Sequence, residues 1–420
     1  MTIRIERSAR SGVRRPLAAM CLLATLMTAC DTDSLLKVNA PNQLPAENLE
    51  RPEAASLLVN GAIGNFECAL GAAIMVTGII ADEFGDAQLG AAQWPYDRRD
   101  ANLQPGSIYG TSGCTSAQGP GIYSPLSVAR WSADNAYRAL AGFTDAQVAK
   151  RDSLMAASAL FAGYSLAHLG MAMCSAAIDE GPEITNMQLF AEAENRFGTA
   201  LTHAATAGIT AYQHAANVGL ARVRLFQGNT AGAATAAAAV PAGFVLNATA
   251  SDAETRRYNR IYHSNVQSRL YVIEPQSRNL MTEGEIDPRT AVVNTGLNAG
   301  DGQVAWIQTK YTSRSTPIPI ARYAEARLIL AEAQGGQAAV DIVNALRAPH
   351  GLDPYTGPTD AASIRDLIVA ERRRELFVEG FRMHDIHRFN LPLIPAPGTE
   401  FPVKGGTYGS TTCLPLPDVE

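Results

Sequence analysis

Charged residues are densest near the C-terminus, where acids and arginines are interleaved between residues 371 and 388. Opposite charges recur there at three-residue spacing, at which side chains on one helix face can pair. The predicted pairs are Glu371 with Arg374, Arg372 with Glu375, and Arg382 with Asp385. We expect them to be partly buried and to hold the last helices against the rest of the fold. A catalytic pair of carboxylates is the alternative, but nothing nearby supplies a nucleophile.

Two histidines in the same stretch, His384 and His387, have the spacing of side chains that share a helix face. A metal site would need a third ligand or an H-E-x-x-H motif, and neither accompanies them. The sequence also has no G-x-S-x-G elbow, no P-loop and no G-x-G-x-x-G fingerprint. We therefore predict no catalytic residue, no metal and no cofactor, and a protein that is not an enzyme.

Four aromatic residues give the best lead to a ligand: Trp94, Tyr96, Tyr109 and Tyr123. They lie in a segment from about 86 to 124 that is rich in Gly, Pro, Ser and Thr. Flat rings stack on the apolar faces of sugars, while polar side chains around them bind the hydroxyls. We predict that these rings are exposed and contact a ligand, Trp94 most strongly. The alternative is that they only pack an irregular segment onto the helices.

The elements that must position these residues are mostly helices, because apolar residues recur at three- and four-residue spacing. The periodicity predicts helices over Arg151–Cys174, Met187–Ala205, Asn217–Gln227, Ile320–Gln334, Ala338–Leu346 and Ala361–Glu379. Ala221, Gly228, Ala233 and Pro241 have the spacing of a tetratricopeptide-like helix pair, a unit of about 34 residues. Residues of about 242–317 instead mix turn residues with short β-like runs, which predicts an irregular lobe.

The N-terminus has the pattern of an export signal. Five arginines precede an apolar run over residues 17–27, which is too short to span a membrane. The run ends in Ala29-Cys30, which resembles the site at which bacterial lipoproteins are acylated. We predict a signal peptide over 1–29, acylation of Cys30 and a lipidated tether over 30–45. An ordinary secretory signal with an incidental cysteine is the alternative.

Composition and charge exclude some classes of function. The chain has 420 residues, 47% of them hydrophobic and 18% charged, as in an ordinary globular protein. Its formal charge is −6, and it has no basic cluster that would favour nucleic acid. Loss of residues 1–29 would remove five arginines and Glu6, so the mature chain would carry −10. We therefore expect acyl chains, and not attraction to anionic lipid, to hold it on a membrane.

Four cysteines remain besides Cys21 and Cys30, and none forms a C-x-x-C pair. An even number in an exported chain favours disulfides, and four cysteines allow three pairings. We predict the pairs Cys68–Cys114 and Cys174–Cys413, because one helix leads into the loop of Cys114 and the tail needs an anchor. Four buried free thiols are the alternative.

Several C-terminal motifs resemble the SusD/RagB family. The segment Pro317–Ala333 is similar to the family's "pi-x-x-RyAE-x-x-L-x-x-AEA" helix, and Ile368–Arg388 to its "ERR-x-EL-x-x-EG-x-R-x-x-D-x-x-R" signature. Asp287-Pro-Arg289, Asn344–Arg347 and Cys413–Pro417 are similar to further landmarks, and residues 30–44 to the lipidated start. The resemblance covers nearly the whole mature chain. His384 stands where an aromatic residue is usual.

The resemblance implies an all-α-dominated fold of tetratricopeptide-like pairs, a SusD-like superhelix, with an irregular capping lobe that contains short β segments. Residues 46–420 would form one domain, with helical repeats over about 46–241, the lobe over about 242–317, and C-terminal helices and tail over about 318–420. It further implies a lipid-anchored protein on the surface of the outer membrane. Such a protein binds a nutrient, a glycan above all, and delivers it to a SusC-like TonB-dependent barrel. A repeat scaffold that assembles envelope proteins without a small ligand is the alternative.

Overall fold

Helices dominate the structure, a computed structural model that describes residues 51–90, 94–101, 108–116, 119–402 and 404–417. In chain order they are α1 Ala55–Ala81, α2 Trp94–Asp97, α3 Ile108–Thr111, α4 Tyr123–Ala141, α5 Arg151–Ala172, α6 Asn186–Thr206, α7 Thr210–Phe226, α8 Thr230–Ala238, α9 Tyr323–Gln334, α10 Gly336–Arg347, α11 Ala361–Glu375 and α12 Arg382–Phe389. The predicted signal peptide, Cys30 and the tether lie outside the described residues, and they stay predictions.

Helix α5 is at the centre of the fold, and its residues from Met155 to Ala172 are all buried. It packs against α4 on one side and α6 on the other. Glycines allow the close approach to α6: a Cβ added at Gly163 would lie 2.7 Å from the Phe197 ring, and one at Gly170 would lie 2.6 Å from the Phe190 ring. The phenyl rings of α6 therefore fill the space that the two glycines leave.

Two segments, Pro52–Ala81 and Arg151–Ala172, are long and apolar enough to cross a membrane. Of their most apolar stretches, 78% and 94% respectively is buried inside the protein. Such burial is typical of helices in a protein core, because the apolar side chains already contact other parts of the chain.

The predicted tetratricopeptide-like pair is confirmed as the hairpin of α7 and α8. Ala221 and Ala233 are fully buried, which lets the two helices approach closely. Gly228 makes the turn with a φ of +79°, a conformation that glycine adopts without strain. Asn229 then caps α8 by accepting a hydrogen bond from the Gly232 amide at 2.9 Å.

The irregular lobe contains short antiparallel ribbons, as expected, together with 3-10 turns and a π-helical segment over Tyr262–Gln267. The strands of the lobe, together with the strands outside it that pair with them, are β1 Phe84–Asp86, β4 Val245–Ala248, β5 Tyr271–Ile273, β6 Met281–Thr282, β7 Glu285–Ile286, β8 Val292–Asn298, β9 Val304–Gln308 and β10 Ile318–Arg322. The described pairs are β1–β5, β4–β10, β6–β7 and β8–β9, and a further short ribbon joins β2 Ser175–Ala176 to β3 Ile184–Thr185.

Several predicted helix boundaries are wrong. Helix α7 begins at Thr210 and not at Asn217, and α5 ends at Ala172 and not at Cys174. Residues 320–322 belong to strand β10, because pairing with β4 overrides the helical spacing of their side chains. Helix α11 ends at Glu375 and not at Glu379, since Val378 and Gly380 have φ values of +50° and +84° that no helix accommodates. The segment from 86 to 124, predicted to be irregular, also contains the two short helices α2 and α3.

Two disulfides join the cysteine pairs that the sequence analysis favoured. Cys68 of α1 is bonded to Cys114, and Cys174 is bonded to Cys413 in the C-terminal tail. The tail also hydrogen-bonds to the end of α5, where the Cys174 amide donates to the Leu414 carbonyl at 2.7 Å. The end of the chain is thus held against the central helix by both covalent and backbone bonds.

Candidate functional site

Two acids of α11, Glu371 and Glu375, are buried and pair with arginines from other elements. Glu371 accepts hydrogen bonds from Arg347 of α10 at 2.8 Å and from Arg289 at 3.0 Å. Glu375 accepts from Arg289 at 3.1 Å and also from Arg322 of β10. The predicted pairs of Glu371 with Arg374 and of Glu375 with Arg372 are therefore wrong.

The partners of the remaining predicted residues are also distant in sequence. Arg372 donates to both carboxylate oxygens of Asp385, at 2.8 and 3.0 Å, and Arg382 donates to Asp82 at the end of α1 at 3.1 Å. The pair of Arg382 with Asp385 is thus wrong, because α12 packs against α1 and this packing places Arg382 beside Asp82. Arg374 donates to backbone carbonyls, and its closest carboxylate is that of Asp287 at 3.8 Å.

These pairs stabilise the packing of the C-terminal helices, and they leave no reactive carboxylate exposed. Burial alone would raise the pKa of Asp385, but Arg372 and Arg388 lower it below its ordinary value. A buried carboxylate that is held ionised by fixed guanidinium groups is a structural feature. The catalytic alternative therefore gains no support from this cluster.

His384 and His387 do not face a common site. The ring of His384 is buried against the rings of Phe226 and Phe190, with centroids 4.2 and 5.6 Å apart. Burial, together with the positive charge of Arg388, lowers the pKa of His384 to about 3. His387 is exposed and lies 3.1 Å from the Thr412 hydroxyl. His384 thus fills, as a neutral ring, a position in the core that suits an aromatic side chain.

The prediction that Tyr96, Tyr109 and Tyr123 are exposed is wrong. Their exposed fractions are 2%, 3% and 2%, and the rings of Tyr96 and Tyr109 pack edge to face at 6.5 Å. The Tyr123 hydroxyl accepts a hydrogen bond from the Ala177 amide at 3.2 Å. Their segment has few large aliphatic residues, so the tyrosines supply its core. The side chain of Trp94 lies outside the described part of the chain, and its contact with a ligand stays a prediction.

One aromatic side chain that the sequence analysis did not select, Trp131, is exposed. It is 49% exposed, and no other Trp, Tyr or Phe of the described residues reaches that level. Its position on α4 explains this, because the buried stripe of that helix runs through Leu126, Ala129, Ala133, Ala136 and Leu140. Trp131 lies off this stripe, on the outward face with Val128, so helical periodicity is the feature that could have identified it.

A groove of about 240 Å³ begins one turn after Trp131 along α4. It is lined by Asp134, Tyr137, Arg138, Ala159, Ile178, Asp179, Arg196 and Thr199. Asp134 accepts from Arg196 at 2.9 Å, and Asp179 accepts from Arg130 at 2.7 Å, which lowers the pKa of Asp179. Because residues three and seven positions apart share a helix face, Trp131 is on the same face of α4 as Asp134 and Arg138.

Carboxylates and guanidinium groups beside an exposed indole ring have the chemistry of a saccharide site. The ring offers a flat apolar surface, while acids and arginines exchange hydrogen bonds with hydroxyl groups. The Trp131 surface, meaning Trp131 with the groove that begins at Asp134, is therefore our candidate functional site. Within the described residues, no group of His, Cys, Asp and Glu side chains is placed to hold a metal ion.

The architecture is that of a helical-repeat protein with an irregular lobe, and one family model and several solved structures are similar to it. The family model described as SusD family matches residues 244–410. A SusD-like carbohydrate binding protein from Bacteroides vulgatus ATCC 8482 shares the fold with a TM-score of 0.61 and 16% identity, over 82% of this chain and 84% of that chain. None of the curated proteins that were compared matches the sequence.

Two further solved structures share the fold. A laminarin binding SusD-like protein has a TM-score of 0.60 and 14% identity, over 80% of this chain and 91% of that one. The surface glycan-binding protein A from Bacteroides fluxus has a TM-score of 0.60 and 16% identity, over 79% and 88%. The match of residues 244–410 to the SusD family model bears out the resemblance of the C-terminal motifs to the SusD/RagB family, and the solved structures share the fold.

Proposed function

We propose that this chain is a lipoprotein of the outer-membrane surface that binds a glycan and delivers it to a SusC-like TonB-dependent transporter. The observation that carries the proposal is the shared SusD fold, since proteins named for binding laminarin and surface glycans have it. The Trp131 surface supports it independently, because an exposed indole beside a polar groove suits a sugar ring.

Delivery to a transporter requires that the chain and the barrel meet at the outer membrane. We expect an affinity-tagged full chain, solubilised with mild detergent, to co-purify with one large TonB-dependent barrel. Extracellular protease should degrade the chain in intact cells, since it is proposed to face outward. Protection from protease, together with co-purification of no barrel, would contradict delivery while leaving glycan binding to be judged separately.

A second candidate function, a scaffold for envelope proteins, is favoured by exposed aliphatic side chains on the lobe. Met281 and Ile286 are paired across β6 and β7 and are 52% and 56% exposed. Val293 and Leu297 of β8 are 47% and 54% exposed. Exposed apolar side chains mark contacts between proteins when they are contiguous. A scaffold would bind other envelope proteins but none of the glycans tested below.

A further inference from the structure

A second cleft, of about 370 Å³, lies where the lobe meets the end of α11. Its lining residues are Pro288, Arg289, Thr309, Lys310, Pro319, Arg322, His350, Glu375 and Glu379. The volume is within the range of pockets that hold small ligands. We call this space the lobe cleft, and it is separate from the Trp131 surface, with which it shares no lining residue.

Two of the three cations, Lys310 and Arg322, are closer than the acids to the open side of the lobe cleft, whereas the side chain of Arg289 is only 4% exposed. The side chains of Lys310 and Arg322 are 24% and 16% exposed, whereas those of Glu375 and Glu379 are 8% and 3% exposed. Arg322 lies between the two carboxylates and donates to both. A ligand that enters the cleft therefore meets ammonium and guanidinium groups first, with the carboxylates behind them.

The cations also retain hydrogen-bond donors. The Lys310 ammonium donates to the Phe377 carbonyl at 2.9 Å and to Glu379 at 2.6 Å, and an ammonium has three N–H groups. Among the described residues, Nη1 of Arg322 donates only to Glu375, and Nη2 of Arg289 donates only to Asp287. Each of these nitrogens carries two N–H groups, so every one of the three cations keeps one donor.

We propose that the lobe cleft binds an anionic substituent of a saccharide, a carboxylate or a sulfate ester. This inference rests on the proposed glycan-binding function, because it names the chemical class of the glycan. Charged donors form their strongest hydrogen bonds with anionic oxygens, and three donors match the several oxygens of such a group. Among the lining residues the three cations exceed the two carboxylates by one charge, although the whole chain has a formal charge of −6, so any attraction to an anion is a local property.

The test is titration of the full chain with three oligosaccharides: galacturonate oligomers, sulfated galactan oligomers and neutral laminarin oligomers. The first two carry a carboxylate and a sulfate, so they distinguish the two sources of negative charge. We expect at least one acidic oligomer to bind, and to bind about tenfold more weakly when Lys310→Gln removes one charged donor. Lys150→Gln, on an exposed lysine, makes the same charge change elsewhere and should leave the affinity unchanged.

Salt dependence tests the inference without any variant, because an ionic contact weakens as salt is added. The affinity for the acidic oligomer should fall when NaCl is raised, while the affinity for laminarin oligomers should not. If laminarin oligomers bind and neither acidic oligomer does, this inference is overturned while the proposed glycan-binding function stands. Acidic binding that is indifferent to salt and to Lys310→Gln would also overturn it. Binding of none of the three would contradict glycan binding itself, and with it this inference.

Discussion

The guanidinium of Arg222 and the carboxylate of Glu325 form a double hydrogen bond, at 2.6 and 2.8 Å, that joins α7 to α9. Their side chains are only 1% and 2% exposed. The Arg222 guanidinium also lies over the rings of Tyr164 and Phe381, at 5.2 and 4.9 Å from the centroids. The pair thus connects a repeat helix to the C-terminal helices through a buried region, where neither charge tolerates loss of its partner.

Glu325→Gln should lower the free energy of unfolding by about 3–5 kcal/mol, because it leaves the Arg222 charge buried without its counter-ion. Urea denaturation measures the loss. Asp366→Asn removes one partner of the exposed pair Arg365–Asp366 and should change stability by less than about 0.5 kcal/mol. Equal stability of Glu325→Gln and the wild type would show that the buried pair contributes nothing to the fold.

A second prediction concerns the buried ring of His384, whose pKa is lowered to about 3. An unfolded histidine titrates near 6.5, so between that pH and about 3 the unfolded state binds a proton that the folded state excludes. The contribution of the neutral His384 ring to the free energy of unfolding is therefore complete above pH 6.5 and is lost as the pH falls. Its loss between pH 7 and pH 5 should be about 2 kcal/mol.

The measurement is urea denaturation of the wild type and His384→Phe at both pH values. The phenyl ring cannot titrate, so the variant should lose about 2 kcal/mol less than the wild type over this range. His387→Gln, at an exposed position of the same helix, should behave like the wild type. Identical pH dependence in His384→Phe and the wild type would contradict the burial of a neutral ring.

The sequence contains enough local information to predict the repeat helices, because helical periodicity depends on neighbours three and four residues away. It does not identify the partner of a buried charge. Glu371 has an arginine three residues away, but packing against α10 puts Arg347 within 2.8 Å of it instead. Similarly, a tyrosine in a Gly-rich segment has the same local sequence whether it is exposed or buried, and Tyr96 is buried by residues distant in sequence. The exposure of Trp131 was predictable, since it depends only on the position of this residue around the axis of a single helix.

The disulfides give a third prediction. Cys174→Ser should lower the free energy of unfolding by about 2–5 kcal/mol, since the bond to Cys413 closes a loop of 239 residues. Peptide mapping without reduction should recover the two linked pairs Cys68–Cys114 and Cys174–Cys413. Recovery of four free thiols, or of another pairing, would contradict the structure.

A fourth prediction concerns Cys30, which lies outside the described residues. If it is acylated, Cys30→Ala should give unprocessed precursor or protein lost from the membrane fraction, because the acyl chains would be its anchor. Fractionation and immunoblotting measure both results. Cys21→Ala changes a cysteine inside the predicted signal and should leave the mature protein in the membrane. Unchanged membrane association of Cys30→Ala would count against a lipoprotein.

Glycan binding at the Trp131 surface is tested most directly by titrating wild type and Trp131→Ala with the oligosaccharide that binds best. Loss of a stacking ring should cost about 2 kcal/mol, which is about thirtyfold in affinity. The melting temperature should stay within a few degrees, because the ring is 49% exposed. Val128→Ala, an exposed apolar neighbour on the same face, should keep the wild-type affinity. An unchanged affinity of Trp131→Ala would contradict this site, and a wild type that binds none of the three oligosaccharides would contradict glycan binding.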